Sequence, residues 1–386
     1  MKASEKELVI GRRNALKIMG LSSAAMLSSG FGDILAAEPA EFKAPSKPFH
    51  NDGISPVSFT TGTDRRQMIF EVMKPFQSEL RNAIKNKKIV LKVNMVVTNN
   101  PLCATHKDAL YGVMDFLRSF YKGQFIVAES SSSYDSAVGF SNYGYTELAK
   151  DFDIRFYNIN SEEPTGKPCF ILDRNLHLEK IQLSNILTSP EEYYVISISR
   201  LKTHDNVVMT GAVKNLALGA PLFLPEVDGR RASYKRNMHS GGPRWLHYNI
   251  FVAHQQTRPD FSVIDGVEGM EGDGPIRGTP VEHKIALAGF DAVAVDSMCA
   301  RLMGIPLEDV GYLNYCAAAD MGVVDRNKIQ IIGSQVPENH IITYKRHGNI
   351  ESQLQWKEVP FTLVPRGFEL VPSETPPAGA PPARAQ

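Results

Sequence analysis

Clustered cysteine is the first thing this chain lacks. Cys103, Cys169, Cys299 and Cys316 are scattered, with no CxxC pair and no metal-ligand spacing. That arrangement speaks against an iron–sulfur cluster, which needs grouped thiolates, and none is expected. In an exported protein the four thiols can pair, but spacing alone does not choose a pairing. Cys299 and Cys316 sit in helical-looking apolar segments, where buried free thiols are common. Net charge is also absent, because 42 Lys+Arg balance 42 Asp+Glu. An even balance gives no sign of electrostatic capture of nucleic acid or an anionic membrane. No apolar run reaches the roughly 18 residues of a membrane-spanning helix. Neither an EF-hand calcium loop nor a Gly-x-Gly-x-x-Gly turn opening a helix is present.

What is present is enough apolar residue, 43% of 386, to bury a substantial core in one large domain or two fused ones. The N-terminus reads as a targeting segment over residues 1–37. Gly11-Arg12-Arg13-Asn14-Ala15-Leu16-Lys17 resembles the twin-arginine export motif, and the apolar stretch Ile18–Leu27 and Leu35-Ala36-Ala37-Glu38-Pro39 follow it. Ala15 stands where Phe is usual, and Leu35 is a poor residue three places before a cut after Ala37. The expectation is a periplasmic protein carried by the twin-arginine machinery, with an uncleaved, membrane-tethered form as the alternative. Residues 38–60, rich in Pro, Ser and Lys, read as a linker. Residues 61–365 read as the folded domain, and the Pro- and Ala-rich 366–386 as a disordered tail.

Within the domain, strand and helix patterns alternate. Apolar or β-branched runs predict strands at Ile89–Val97, Phe125–Ala128, Ile154–Ile159, Tyr193–Ser199, Phe261–Ile264, Lys284–Ala288 and Ile329–Ile332. Helical spacing predicts helices at Lys107–Tyr121, Tyr145–Lys150, Trp245–Gln256, Ala292–Met303 and Leu307–Ala319. This is the pattern of an α/β fold, a mainly parallel sheet with helices on both faces and mixed connections.

Four segments beyond predicted strands look like ligand contacts, since open α/β sheets bind at the carboxyl ends of their strands. Thr98–His106 offers Thr105 and His106, although a hydroxyl at a helix start is commonly an N-cap. Glu129 ends an apolar strand and opens the run Ser130–Ser133, a set of hydroxyls and N–H groups suited to an anion or simply to a loop. Arg200–Asn215 gathers Lys202, His204, Thr210 and Lys214. Lysines held near other cations have lowered pKa values and become better nucleophiles; as isolated residues they would read as solvated surface charge. Asp265–Gly278 packs four carboxylates and five glycines into fourteen residues, which suits a hard cation or a mobile acidic lid. Asp291 reads as an N-cap, Asp296 as a further carboxylate ligand, and His239 as a second imidazole near glycine. His247 and His254 share one helix face.

Taken together, Lys92-Val93-Asn94, the strand ending in Glu129, Leu201-Lys202-Thr203-His204, Thr210–Asn215, Met270–Pro275 and Asp291–Asp296 resemble the family called domain of unknown function 362. The resemblance runs over residues 86–334 and names no reaction. Some members of that family carry a fused ferredoxin-like segment, which this chain lacks. Over about twenty residues the chain is also similar to the lactate racemase family, whose nickel-pincer cofactor is tethered to a lysine in a histidine-lined site. His204 precedes Lys214 by ten positions, although Gly211-Ala212-Val213-Lys214 departs from that family's turn. That likeness implies Lys214 as tether and His204 or His239 as metal-side ligand or proton carrier.

The expectation is an enzyme with a metal- or cofactor-dependent cleft for a small anionic substrate; the alternative is a periplasmic anion-binding protein without chemistry. Lys214, His204 and Lys202 would carry the chemistry, and Lys92, Asn94, Thr105 and Thr210 would hold the substrate. Glu129, His239, Glu271 and Asp296 would take a divalent metal, the cofactor being otherwise unspecified. Replacing Arg12 and Arg13 by Lys is expected to leave the protein in the cytoplasm. Cell fractionation that still finds the double variant outside would refute the export reading.

Overall fold

The computed structural model describes residues 53–224 and 232–358. The leader, most of the proposed linker and the Pro-rich tail lie outside the described residues. The linker reading does not hold up to residue 60, because Ser55–Thr61 is a strand, β1. The others are β2 Lys88–Val93, β3 Phe125–Glu129, β4 Ile154–Asn158, β5 Lys167–Leu172, β6 Leu178–Leu183, β7 Tyr193–Thr203, β8 Met209–Thr210, β9 Phe261–Glu271, β10 Thr279–Gly289 and β11 Ile329–Ile332.

Nine strands form one sheet in the order β11-β1-β10-β9-β7-β2-β3-β4, with β8 paired to β7 off that path. β9, β7, β2, β3 and β4 are mutually parallel. β10 runs against β9 and β1, and β1 is parallel to β11. The expected α/β architecture is therefore the observed one, with an antiparallel strand built into it. β5 and β6 make a separate hairpin.

One face of the sheet presents Ile89, Leu91 and Val93 of β2 and Ile196 and Ile198 of β7 to the core. The helix Lys107–Leu117 covers it with Leu110, Val113, Met114 and Leu117, the i, i+3, i+4, i+7 stripe of an amphipathic helix. The helix Arg65–Met73, started by Asp64 accepting from Gln67 N, packs beside it. Ser197 points opposite to its neighbours Ile196 and Ile198. Its Oγ lies 3.1 Å from Asn215 Nδ2, which places the helix Ala212–Ala217 on the other face. Helices Gly242–Thr257 and Ala292–Leu302 pack against that helix.

Several elements differ from the sequence expectation for identifiable reasons. The helix from Lys107 stops at Leu117, and Tyr145–Lys150 is a 3-10 turn. Leu307–Ala319 is broken into a short turn and the helix Gly311–Ala318. β7 continues through Lys202 to Thr203, because β8 folds back on it with Lys202 opposite Thr210. The acidic segment Asp265–Gly278 is not a loop at its start: Asp265–Glu271 are β9, pairing with β10 as far as Glu271 opposite Thr279.

Phe76, Phe261 and Phe290 meet edge to face, with centroids 4.9–5.5 Å apart. Phe261→Ala is expected to cost about 3–5 kcal/mol of stability, the usual range for a buried aromatic truncated to Ala. Denaturant titration gives the measurement, and a loss under about 1 kcal/mol would show that this junction does not anchor the sheet.

Candidate functional site

The carboxyl ends of β2, β3 and β7 lie side by side, and each delivers a polar group there. β2 ends in Lys92-Val93-Asn94, β3 in Glu129 and β7 in Lys202-Thr203. After Thr203 the chain makes a tight turn closed by His204 N donating to Val208 O at 3.0 Å. β8 returns along β7 and passes through Gly211 into the helix that carries Lys214 and Asn215.

That helix is fixed at its start by Asp296. Its Oδ1 accepts from Ala212 N at 2.7 Å and its Oδ2 from Val213 N at 2.9 Å. Gly211 is required here, because a Cβ at that position would sit 2.3 Å from the Asp296 carboxylate. Burial pushes the Asp296 carboxyl up to about 7, against the pull of the two amide hydrogen bonds. Asn215 ties the helix to the sheet. Its Nδ2 donates to Lys92 O and Ser197 Oγ, both at 3.1 Å, and its Oδ1 accepts from Asn94 Nδ2 at 3.1 Å.

Four lysines converge around this frame: Lys92, Lys202 and Lys214 are buried, and Lys235 is half-buried at its edge. Lys92 Nζ pairs with Glu129 Oε1 at 2.7 Å and donates to Val93 O. Burial lowers the Lys92 pKa, and Glu129 opposes that shift. Lys202 donates to Asn94 Oδ1 and, at 2.6 Å, to Cys103 O. Lys235 donates to the carbonyl of Ser130 and to its Oγ. Lys214 is 7% exposed, and among the described residues its Nζ makes no hydrogen bond. Within this cluster, among the described residues, Lys92–Glu129 is the one lysine–carboxylate ion pair. Desolvation takes Lys202 and Lys235 down to about 7 and Lys214 to about 8. On Lys214, Asp205 pulls upward and Lys92 adds to the downward push.

Two imidazoles feel the charge of Lys214, and their hydrogen bonds favour opposite tautomers. His204 Nδ1 has two neighbours, Asn206 N at 3.0 Å and Asp205 Oδ1 at 3.1 Å; when it accepts from the amide, the neutral ring carries its proton on Nε2. His239 Nδ1 lies 2.6 Å from the Lys235 carbonyl, which can only accept, so that ring holds its proton on Nδ1 and leaves Nε2 a lone pair. Burial, then the charge of Lys214, holds His204 well below the ordinary imidazole range. His239 is lowered by burial, with its backbone hydrogen bond opposing and Lys214 contributing further lowering.

The structure therefore brings together Lys92, Asn94, Glu129, Lys202, His204, Lys214 and His239 of the residues marked in the sequence. Thr210 lies opposite Lys202, and its buried hydroxyl has no hydrogen-bond partner among the described residues. Thr105 is a brace instead of a ligand group: it accepts from Asn94 N at 2.9 Å and donates to Ile198 O at 2.7 Å, linking β2 to β7. The cap of the following helix is His106, accepting from Asp108 N, and not Thr105. The serine run is no anion cradle, because its amides are committed to Glu129 Oε1, Ser136 Oγ and Val96 O.

The four expected metal ligands do not form a set. Glu129 is paired with Lys92, His239 with a carbonyl, and Asp296 with two helix amides. Glu271 accepts from Lys345 N at 2.7 Å. Among the described residues no three His, Cys, Asp or Glu side chains are grouped to hold a metal ion. The other carboxylates of Asp265–Gly278 also have separate partners: Asp265 takes Arg65 and Glu268 takes Arg200, while Asp273 lies 3.9 Å from His347. Their cation-site reading fails because each is taken by a different partner. His247 and His254 are fully buried, His247 stacked on Tyr312, and belong to the core. The four cysteines are separate buried thiols. Two members were missed by sequence reasoning. Asn215 was quoted only as part of a motif, and Lys235 lies in a basic run, Arg230 to Arg236, that reads as ordinary surface.

Fold and site together define an α/β protein with a buried cationic cluster at the carboxyl edge of its parallel strands. The chain belongs to the family described as Domain of unknown function (DUF362), which it matches over residues 89–301, more than half its length. It is 27% identical over 220 residues to "Thylakoid-associated protein sll1697" of Synechocystis sp., a stretch covering 56% of this chain and 63% of that protein. The chain thus spans less than two thirds of that relative. Among solved structures, the lactate racemase apoprotein from Thermoanaerobacterium thermosaccharolyticum is similar at 10% identity and a TM-score of 0.36, over 66% of this chain and 59% of that one. A likeness that loose carries no argument about chemistry. No helix among the described residues is long and apolar enough to cross a membrane.

The buried amines make stability depend on pH with a definite sign. Between about pH 8, where folded Lys214 titrates, and about pH 10.4, where an exposed lysine does, the unfolded chain binds the extra proton. Burying Lys214 as a cation therefore disfavours the folded state below that window, and the penalty fades as pH rises through it. Lys214→Met is expected to be more stable than the parent protein at neutral pH, with the advantage shrinking toward about pH 10. Denaturant midpoints of the two proteins measured in parallel cancel the other titrating groups. A gap that does not change with pH would contradict the placement of Lys214.

Proposed function

We propose that this protein binds a small anionic molecule at the cationic cluster and acts on it as an enzyme. One observation carries the reading: the buried Lys202 and Lys214, and the half-buried Lys235 beside them, have no carboxylate partner among the described residues. Unpaired buried cations are costly, and a bound anion is the general way to offset them. Lys202 and Lys235 are held by neutral acceptors, which orient an ammonium without neutralising it. Charge-assisted hydrogen bonds to carboxylate or phosphate oxygens are the strong interactions such a group can add. The twin-arginine reading of Arg12-Arg13 would place this activity outside the cytoplasm.

A protein that binds without chemistry would use the same lysines. It gives no account of Lys214, whose charge acts on one imidazole that can donate and on another that can accept. That pairing suits proton transfer, for which histidine and lysine near neutral pKa are apt.

Titration calorimetry with oxalate as the probe tests the reading. Lys235→Ala is expected to weaken oxalate binding by on the order of 1.5–3 kcal/mol, the worth of a charge-assisted hydrogen bond. Raising the pH through 7 to 8 should weaken binding by the parent protein, because Lys202, Lys235 and Lys214 lose their charge there. Absence of oxalate binding at neutral pH, or affinity indifferent to Lys235, would remove the basis for an anion site.

A further inference from the structure

We infer that Lys214 is the reacting amine of a covalent site, and that it condenses with the carbonyl carbon of a small anionic aldehyde or ketone of the 2-oxo acid type. The inference rests on the anion-binding reading above, since the surrounding ammonium groups are what would hold the carboxylate.

The geometry separates Lys214 from its neighbours. Lys92, Lys202 and Lys235 each donate to protein oxygens, which fixes their Nζ atoms in place. Lys214 alone of the four makes no such bond among the described residues, so nothing among them holds its nitrogen in place. Its backbone is held firmly all the same, by Asp296 on the preceding residues Ala212 and Val213 and by Asn215 on the next. A free nitrogen on a fixed helix is the arrangement a nucleophile needs. Neighbouring cations and burial favour its neutral form, which carries the lone pair. With Lys214 at about 8 and an exposed lysine at about 10.4, free amine at neutral pH is on the order of a hundredfold more abundant at this position.

The histidines supply the rest. His204, with its proton on Nε2, can donate a hydrogen bond to the oxygen of a carbonyl under attack, and His239 has an Nε2 lone pair to accept a proton from the nitrogen. The step balances without any further reactant. The amine lone pair forms the C–N bond as the C=O π pair moves to oxygen. The oxygen takes up one proton from a neighbouring ammonium or water and the nitrogen loses one, giving a carbinolamine. Loss of hydroxide as water, with one more proton taken up by the leaving oxygen, leaves a C=N bond. Protonated, that imine draws electrons from the adjacent carbon, so the class of reaction that follows is proton exchange or bond cleavage next to the former carbonyl.

The experiment is trapping with glyoxylate and sodium cyanoborohydride on the full chain, read by peptide mass spectrometry. The expected product is a carboxymethyl group on Lys214, formed in large excess over every other lysine and suppressed by oxalate, which has the charge but no reactive carbonyl. At glyoxylate concentrations that keep the site saturated at every pH, the rate should rise up to about pH 8 and then level, as free amine saturates. Lys214→Arg, checked as folded by a cooperative melting transition, should lose the adduct. If oxalate binds but Lys214 gains no adduct, or the label spreads evenly over surface lysines, the covalent role is wrong and the anion site stands. A trapping rate that keeps climbing beyond about pH 10 would also overturn it, since that is how an exposed lysine behaves. If oxalate neither binds nor protects, both readings fall together.

Discussion

Everything at the carboxyl edge of this sheet depends on positive charge taken out of water without an equal negative charge beside it. Lys92 has Glu129 at 2.7 Å, while the buried Lys202 and Lys214 and the half-buried Lys235 have only neutral oxygens or none among the described residues. Burial of that kind destabilises the ammonium form, and the proteins that tolerate it use it. The result is a set of amines that titrate near neutrality. They can bind an anion as cations or react as free bases, and the balance between those states moves with whatever occupies the site.

The fold tolerates this because the rest of the neighbourhood is rigid and satisfied. Asn215 uses both ends of its amide to join the helix Ala212–Ala217 to β2 and β7. Asp296 meets the first amides of that helix, where a carboxylate is favoured by the orphan N–H groups. Thr105 braces β2 against β7, and Gly219 lets the chain pass close to Lys92, where a Cβ would lie 2.8 Å from Nζ. A preorganised shell of this sort keeps charged side chains from relaxing toward solvent, and relaxation is the usual escape from a costly burial.

Much of this was readable before any coordinates. Alternating patterns marked a mainly parallel α/β sheet, and strand ends marked Lys92, Glu129, Lys202, His204 and Lys214 as neighbours. Errors came where tertiary contacts reassign a side chain. Thr105 looked like a ligand or a cap, yet its hydroxyl is used between two strands. Glu271 and Asp296 looked like metal ligands because carboxylates near glycine often are, but one meets the amide of Lys345 and the other a helix start. Ser55–Thr60 reads as linker, since most of the seven-residue strand Ser55–Thr61 lies beside Pro- and Ser-rich sequence with no local pattern strong enough to stand out. Lys235 offered no signal at all within its basic run.

The amino-acid sequence by itself determined the alternation of strands and helices, the apolar stripe on Lys107–Leu117 and the placing of cationic residues just where parallel strands end. Those are local properties: the periods of helix and strand and the chemistry of each side chain act over a few residues. Only the tertiary structure decided which charges are paired and which are not. Glu129 meets Lys92 across thirty-seven positions, Asp296 reaches Ala212 across eighty-four, and Lys214 is left without a hydrogen-bond partner among the described residues. Desolvation depends on everything packed around an atom. The pKa of a lysine, and with it the chemistry available at this site, is therefore a property of the assembled fold.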